Sequence, residues 1–100
     1  MDQANELNKL RKKLDKLKKK GANARFTKLH SLLESFGCKF NIRGSHYTYI
    51  HSTLDYPFTV VKPHGGKSQV DIKDLEKAIG QMEIILELKE IKIEEKRDRQ

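Results

Sequence analysis

The chain has a single cysteine, Cys38, among its 100 residues, so an intrachain disulfide framework is excluded and a zinc-finger ligand set is poorly provided for. No apolar run approaches the roughly 20 residues that a membrane span needs. The opening MDQANELNKLRKKLDKLKKK lacks the apolar stretch of a secretory signal. There is no G-x-x-x-x-G-K-S/T run, which argues against a nucleoside-triphosphate loop. The four histidines, at 30, 46, 51 and 64, are spread 16, 5 and 13 residues apart, and the acids cluster in the last helix, so no metal centre is expected. One hundred residues bury one modest core, too little for a multi-domain enzyme or a Rossmann-type cofactor fold. The expectation is a soluble cytoplasmic protein with no membrane, metal or cofactor.

Positive charge is what the chain has in excess. Lysine and arginine number 21 against 14 acids, for a formal net charge of +7. Residues 1–20 carry eight basic and three acidic side chains (+5), and residues 21–68 carry six and two (+4). Residues 69–88 reverse the sign with two and five (−3), and residues 89–100 come to +1. A basic front and an acidic last helix point to a polyanion partner, or to one surface for nucleic acid and another for a protein. A lysine-rich helix that serves solubility alone is the plain competitor.

Hydrophobic spacing divides the chain into elements. Leu7, Leu10, Leu14 and Leu17 recur at 3, 4 and 3, which predicts a short amphipathic helix over 1–20. So narrow a stripe does not stand alone, and its leucines must dock on the domain, on a second copy or on a partner. Phe26, Leu29, Leu33 and Phe36 mark a second helix, ended by Gly37 and with Asn23 available as its cap. Period two then takes over. Cys38, Phe40 and Ile42 alternate with Lys39, Asn41 and Arg43 as a half-buried strand, and Gly44-Ser45 signals a turn into a strand from His46 to His51. Phe58 to Lys62 makes a third strand, 63–70 a loop, and Ile72, Leu75, Ile79, Met82 and Leu86 a last helix.

The predicted fold is therefore α+β, with an α-β-β-β-α domain over 25–88 behind a basic helix and ahead of a charged tail over 89–100. Helices at both ends of a three-stranded antiparallel sheet cover one face of it and leave the other open. The tail has little to bury and is expected to fray, with Ile91 and Ile93 as a short edge or partner contact.

His46 is the candidate for chemistry. It opens a strand just after a turn, with Arg43 before the turn and Lys39 further along the first strand. An imidazole can take a proton from a ribose 2′-hydroxyl or a water, and neighbouring cations hold the phosphate and offset the developing charge. Strand parity places Tyr49 inward and His46 on the open face, with His51 facing the helices as a packed residue. His30 reads as structural. In Pro63-His64-Gly65-Gly66-Lys67-Ser68, glycines beside a lysine can turn backbone N–H groups toward a phosphate.

The stretch Arg25 to Gly37, then Arg43-Gly44-Ser45-His46, then Phe58 to His64 and a helix, resembles the HicA toxin family. The resemblance covers residues 25–88, and Gly44-Ser45-His46 is its most specific element. It implies a miniature fold like the double-stranded-RNA-binding domain, and a metal-independent mRNA interferase of a toxin–antitoxin pair. It makes His46 the catalytic histidine, presented by Gly44 and Ser45, with His64 as a second, less defined histidine. Arg43 stands where many relatives have lysine, which keeps the charge. A HicB-type antitoxin that covers the RNA-cleaving face is the implied protein partner.

The expected RNA contacts are Lys39, Arg43, Lys62 and Lys67, and the expected partner or dimer contact is Leu7, Leu10, Leu14 and Leu17. Two other readings remain open. One is a non-catalytic binder of structured RNA, although a last helix opening Asp71, Lys73, Asp74 suits a duplex grip poorly. The other is a decayed toxin or plain protein-interaction module built on the leucine seam.

Overall fold

The structure, a computed structural model, describes residues 3–98. Helix α1 (Gln3–Lys20) is followed by a tight helical turn over Gly21–Asn23, then α2 (Phe26–Ser35). Strands β1 (Lys39–Arg43), β2 (His46–Ile50) and β3 (Phe58–Val61) come next, and α3 (Ile72–Asp98) closes the chain. The fold is α+β, with three helices and one antiparallel sheet in the order β1-β2-β3. No helix among the described residues is long and apolar enough to cross a membrane.

The core lies between one sheet face and the helices. Tyr49, Phe58 and Val60 from the sheet meet Leu29 and Leu33 of α2, Phe36 just after it, and Leu75, Ala78, Met82 and Ile85 of α3, all buried. Helix α2 stops because Gly37 takes a φ of 91°, where only glycine is unstrained. Its N–H then donates to Glu34 O (2.9 Å), and the Cys38 N–H to Leu33 O (3.1 Å), which satisfies the last carbonyls of the helix.

Asn23 does not cap the start of α2. It lies in the preceding turn, Arg25 takes the cap position, and no side chain bonds there. Instead the Phe26 N–H donates to Ser68 O (2.9 Å) and the Val70 N–H to Ala24 O (2.9 Å), so the 63–70 loop supplies the missing acceptor. At α3 the cap is Asp71, whose Oδ2 accepts the Lys73 N–H (3.2 Å).

Three other expectations are corrected. Strand β1 is not half-buried, since all five of its residues are exposed, with Phe40 at 40% and Ile42 at 49%. It is an edge strand, and His30 of α2 meets Phe40 edge to face at 4.5 Å between ring centroids. Ile72 is also exposed, because it sits at the first helical position, and Ala78 and Ile85 fill the core in its place. The last helix does not end near Leu88. It runs to Asp98, and α1 is the reason.

Leu7, Leu14 and Leu17 are buried in the same core cluster as α3, and Leu10 and Ile93 pack against it half-buried. Arg11 pairs with Glu90 and Lys18 with Glu83 (3.1 Å), which ties the two helices together along their length. Leu7, Leu14 and Leu17 are thus packed within the chain itself, on the domain. Ile93 belongs to this helical packing and Ile91 is exposed. Leu14 is 1% exposed, so Leu14→Ala should cost about 2–5 kcal/mol in a denaturant titration. A change below about 0.5 kcal/mol, the size typical of a surface site, would mean that α1 is not part of the cooperative fold.

Candidate functional site

Strand pairing fixes which residues share the open face. Arg43, His46 and Val61 lie across from one another, as do Asn41, Thr48 and Thr59, and then Lys39 and Ile50. None of these eight residues is buried. The hydroxyls of Thr48 and Thr59 meet at 3.0 Å in the middle of the face. The opposite rows are Ile42, Tyr47 and Val60, then Phe40, Tyr49 and Phe58, which include the core residues.

His46 therefore projects from the open face at the first residue of β2, as the alternation predicts, with Arg43 directly across the ladder. The hairpin that places it is a two-residue turn. Gly44 has a φ of 57° and, among the described residues, no non-glycine residue has a positive φ, which is the sign pattern of a type II′ turn. The Lys62 N–H donates to Ser45 O (2.7 Å), so the chain leaving β3 is held against this turn. His64 follows two residues later, and its carbonyl accepts the Lys67 N–H (3.3 Å) to close a turn over Gly65-Gly66.

One end of the sheet thus gathers Arg43, Gly44, Ser45, His46 and Lys62, with His64 and Lys67 in the adjoining loop; all but Ser45, which is half-buried, are exposed. Lys39 is at the other end of β1, away from this group. Among the described residues no hydrogen bond or ion pair joins His46 to His64, or either ring to a carboxylate. Among the described residues no group of three His, Cys, Asp or Glu is arranged to hold a metal.

The acids opening α3 do not all face solvent. Asp74 is half-buried, and its Oδ2 accepts the Val61 N–H (3.0 Å) on the outer edge of β3. That carboxylate closes the edge of β3 against strand pairing and fixes α3 beside the open face.

The other two histidines are structural. His30 Nδ1 lies 2.8 Å from the Tyr49 hydroxyl, and its Nε2 lies 2.7 Å from Glu34. In the neutral ring the hydroxyl donates to Nδ1 and Nε2–H donates to the carboxylate. Its ring also meets Phe40, Tyr47 and Tyr49, so it is the centre of an aromatic cluster. Period-two and helical spacing placed each of these residues alone; only the register shows them as one network.

His51 donates from Nε2 to Phe36 O (3.0 Å), while Nδ1 accepts from the Thr53 N–H (3.1 Å) and hydroxyl (2.9 Å). The Thr53 N–H contact requires an unprotonated Nδ1, hence a neutral ring. Burial lowers its pKa below the ordinary 6.5; the bond to Phe36 works against this, and Lys89 and Lys92 add to the lowering. The Cys38 thiol is pushed up to about 11 by burial, with Lys89 pulling the other way, so it is a packed thiol and not a nucleophile. No family model, no curated protein and no solved structure matches the chain.

The His51 ring gives the fold a pH dependence of definite sign. The unfolded chain takes up this proton near pH 6.5 and the native chain only at lower pH, so the unfolded state binds more protons between the two values. Stability is full above that range and falls as pH drops through it. The urea midpoint should therefore be lower near pH 5 than near pH 7.5. The His51→Gln variant should be less stable near pH 7.5 but show a smaller difference between the two. An equal difference in both proteins would remove His51 as the cause.

Proposed function

We propose that the chain is an endoribonuclease of the HicA kind, a toxin of a type II toxin–antitoxin pair that cleaves mRNA in the cytoplasm. The observation that supports it is His46 on the open sheet face, held out by the Gly44-Ser45 turn with Arg43 across the ladder. The order α2-β1-β2-β3-α3 agrees with the double-stranded-RNA-binding-domain-like fold that the resemblance implies.

His46 takes the proton of a ribose 2′-hydroxyl as that oxygen attacks the adjacent phosphorus. The bond to the 5′-oxygen breaks and a 2′,3′-cyclic phosphate is left. Arg43 offsets the charge that builds on the phosphoryl oxygens. The departing 5′-oxygen needs a proton, from His64 in the adjoining loop or from water. Lys62 and Lys67 hold the flanking phosphates, and Lys39, at the far end of β1, contacts a more distant part of the strand. A HicB-type antitoxin would cover this face together with the uncovered Ile50, which is 53% exposed.

One observation is also compatible with a second reading. No group orients the His46 ring by a hydrogen bond among the described residues, which suits a non-catalytic RNA-binding module equally well.

Cleavage of RNA by the purified chain in EDTA separates the two. Wild type should cleave, and a folded His46→Ala variant should be slower by about 100- to 10,000-fold, the loss expected for one acid–base group. RNA bound but left intact by both proteins would leave the binding module. Equal cleavage by both would remove His46 from the chemistry.

A further inference from the structure

The charges of α1 are not all treated alike by the rest of the fold. Arg11 and Lys18, on the side facing α3, are matched by Glu90 and Glu83. On the side facing α2 lies a groove of about 370 Å³. Lys13, Lys16 and Lys20 form its α1 wall, and Lys28, Ser31 and Ser35 its α2 wall. Leu17 and Leu32, both 6% exposed, lie at its floor. No lining residue is acidic, and none of the four lysines has an ion pair among the described residues.

We propose that this groove binds the phosphodiester backbone of an RNA strand. The proposal rests on RNA being the polyanion of the functional reading above, and it adds a second contact surface on the helical side of the molecule. Four unmatched ammonium groups across one groove repel one another, and a polyanion is what removes that repulsion. Seven residues of helix separate Lys13 from Lys20, a rise of about 10 Å. A wall of that length follows successive phosphates along one strand. Lysines suit such a ligand because they bind phosphate as point charges without base readout. The helices cover the sheet face opposite His46, so the groove contributes grip and not chemistry.

The test compares wild type with the quadruple variant Lys13→Gln, Lys16→Gln, Lys20→Gln, Lys28→Gln and with a control, Lys9→Gln, Lys12→Gln, Lys19→Gln. The control residues are exposed cations of α1 outside the groove. The probe is a short single-stranded RNA, and its Kd is measured over a series of NaCl concentrations. Circular dichroism verifies that each variant folds.

The groove variant should bind more weakly, with the log Kd against log salt slope reduced by about 2–3, as about 0.7 per neutralised phosphate requires. The control should change the slope by less than half as much. Where wild type cleaves, KM should rise in the groove variant with kcat unchanged. A slope and Kd equal to wild type, or equal losses in both variants, would overturn the proposal while leaving any cleavage by His46 intact. A slope lost only in the groove variant, with no cleavage by wild type, supports the groove and removes the ribonuclease reading. Binding to phosphatidylserine vesicles lost in the groove variant, with RNA binding unchanged, would overturn it in favour of a membrane surface.

Discussion

The buried phenol of Tyr49 decides which way the sheet faces. Tyr49 is fully buried in β2, it stacks on Phe58 at 5.4 Å, and its hydroxyl is bonded to His30, which in turn holds Glu34. Burial pushes that phenol's pKa up, so it stays a neutral hydroxyl able to donate. A strand alternates sides at every residue, so a Tyr49 locked against α2 forces His46, three residues earlier, onto the opposite face. Slipping the register by one would bury His46 and leave the His30 network unsatisfied. The candidate site thus depends on a polar bond in the core on the other side of the sheet.

The rest follows from apolar surface being spent on one side only. Helices α2 and α3 close over Tyr49, Phe58 and Val60, and α1 forms a further layer by burying its leucines between them. The open sheet face and the α1–α2 groove are left with cations whose acids are elsewhere. Three acids of α3 are used internally, Glu90 on Arg11, Glu83 on Lys18 and Asp74 on the edge of β3. That partition turns a modest net charge into two basic surfaces suited to a polyanion.

Much of this was legible in the sequence. Period-two and helical spacing gave the element order, the inward Tyr49, the outward His46 and the packed His51, because each is a local consequence of alternation. Three things were not legible, since each depends on partners distant in the chain. Phe40 and Ile42 have the pattern of core residues, yet β1 is an edge strand whose five residues all stay exposed. The charged stretch after Leu88 reads as a tail, yet α1 folds back to hold it as helix through Leu10, Arg11 and Ile93. Lys13, Lys16 and Lys20 look like solubilising charge until Lys28, Ser31 and Ser35 are seen across the groove.

The central claim is that the open sheet face meets RNA. It is tested most directly by assigned amide NMR of the His46→Ala protein titrated with a short RNA that it does not cleave. The account expects the largest shifts at Arg43, Gly44, Ser45, Thr48 and Val61 of the open face and at Lys62 beside it. Shifts confined to α3, or none at concentrations where the RNA is bound, would contradict it.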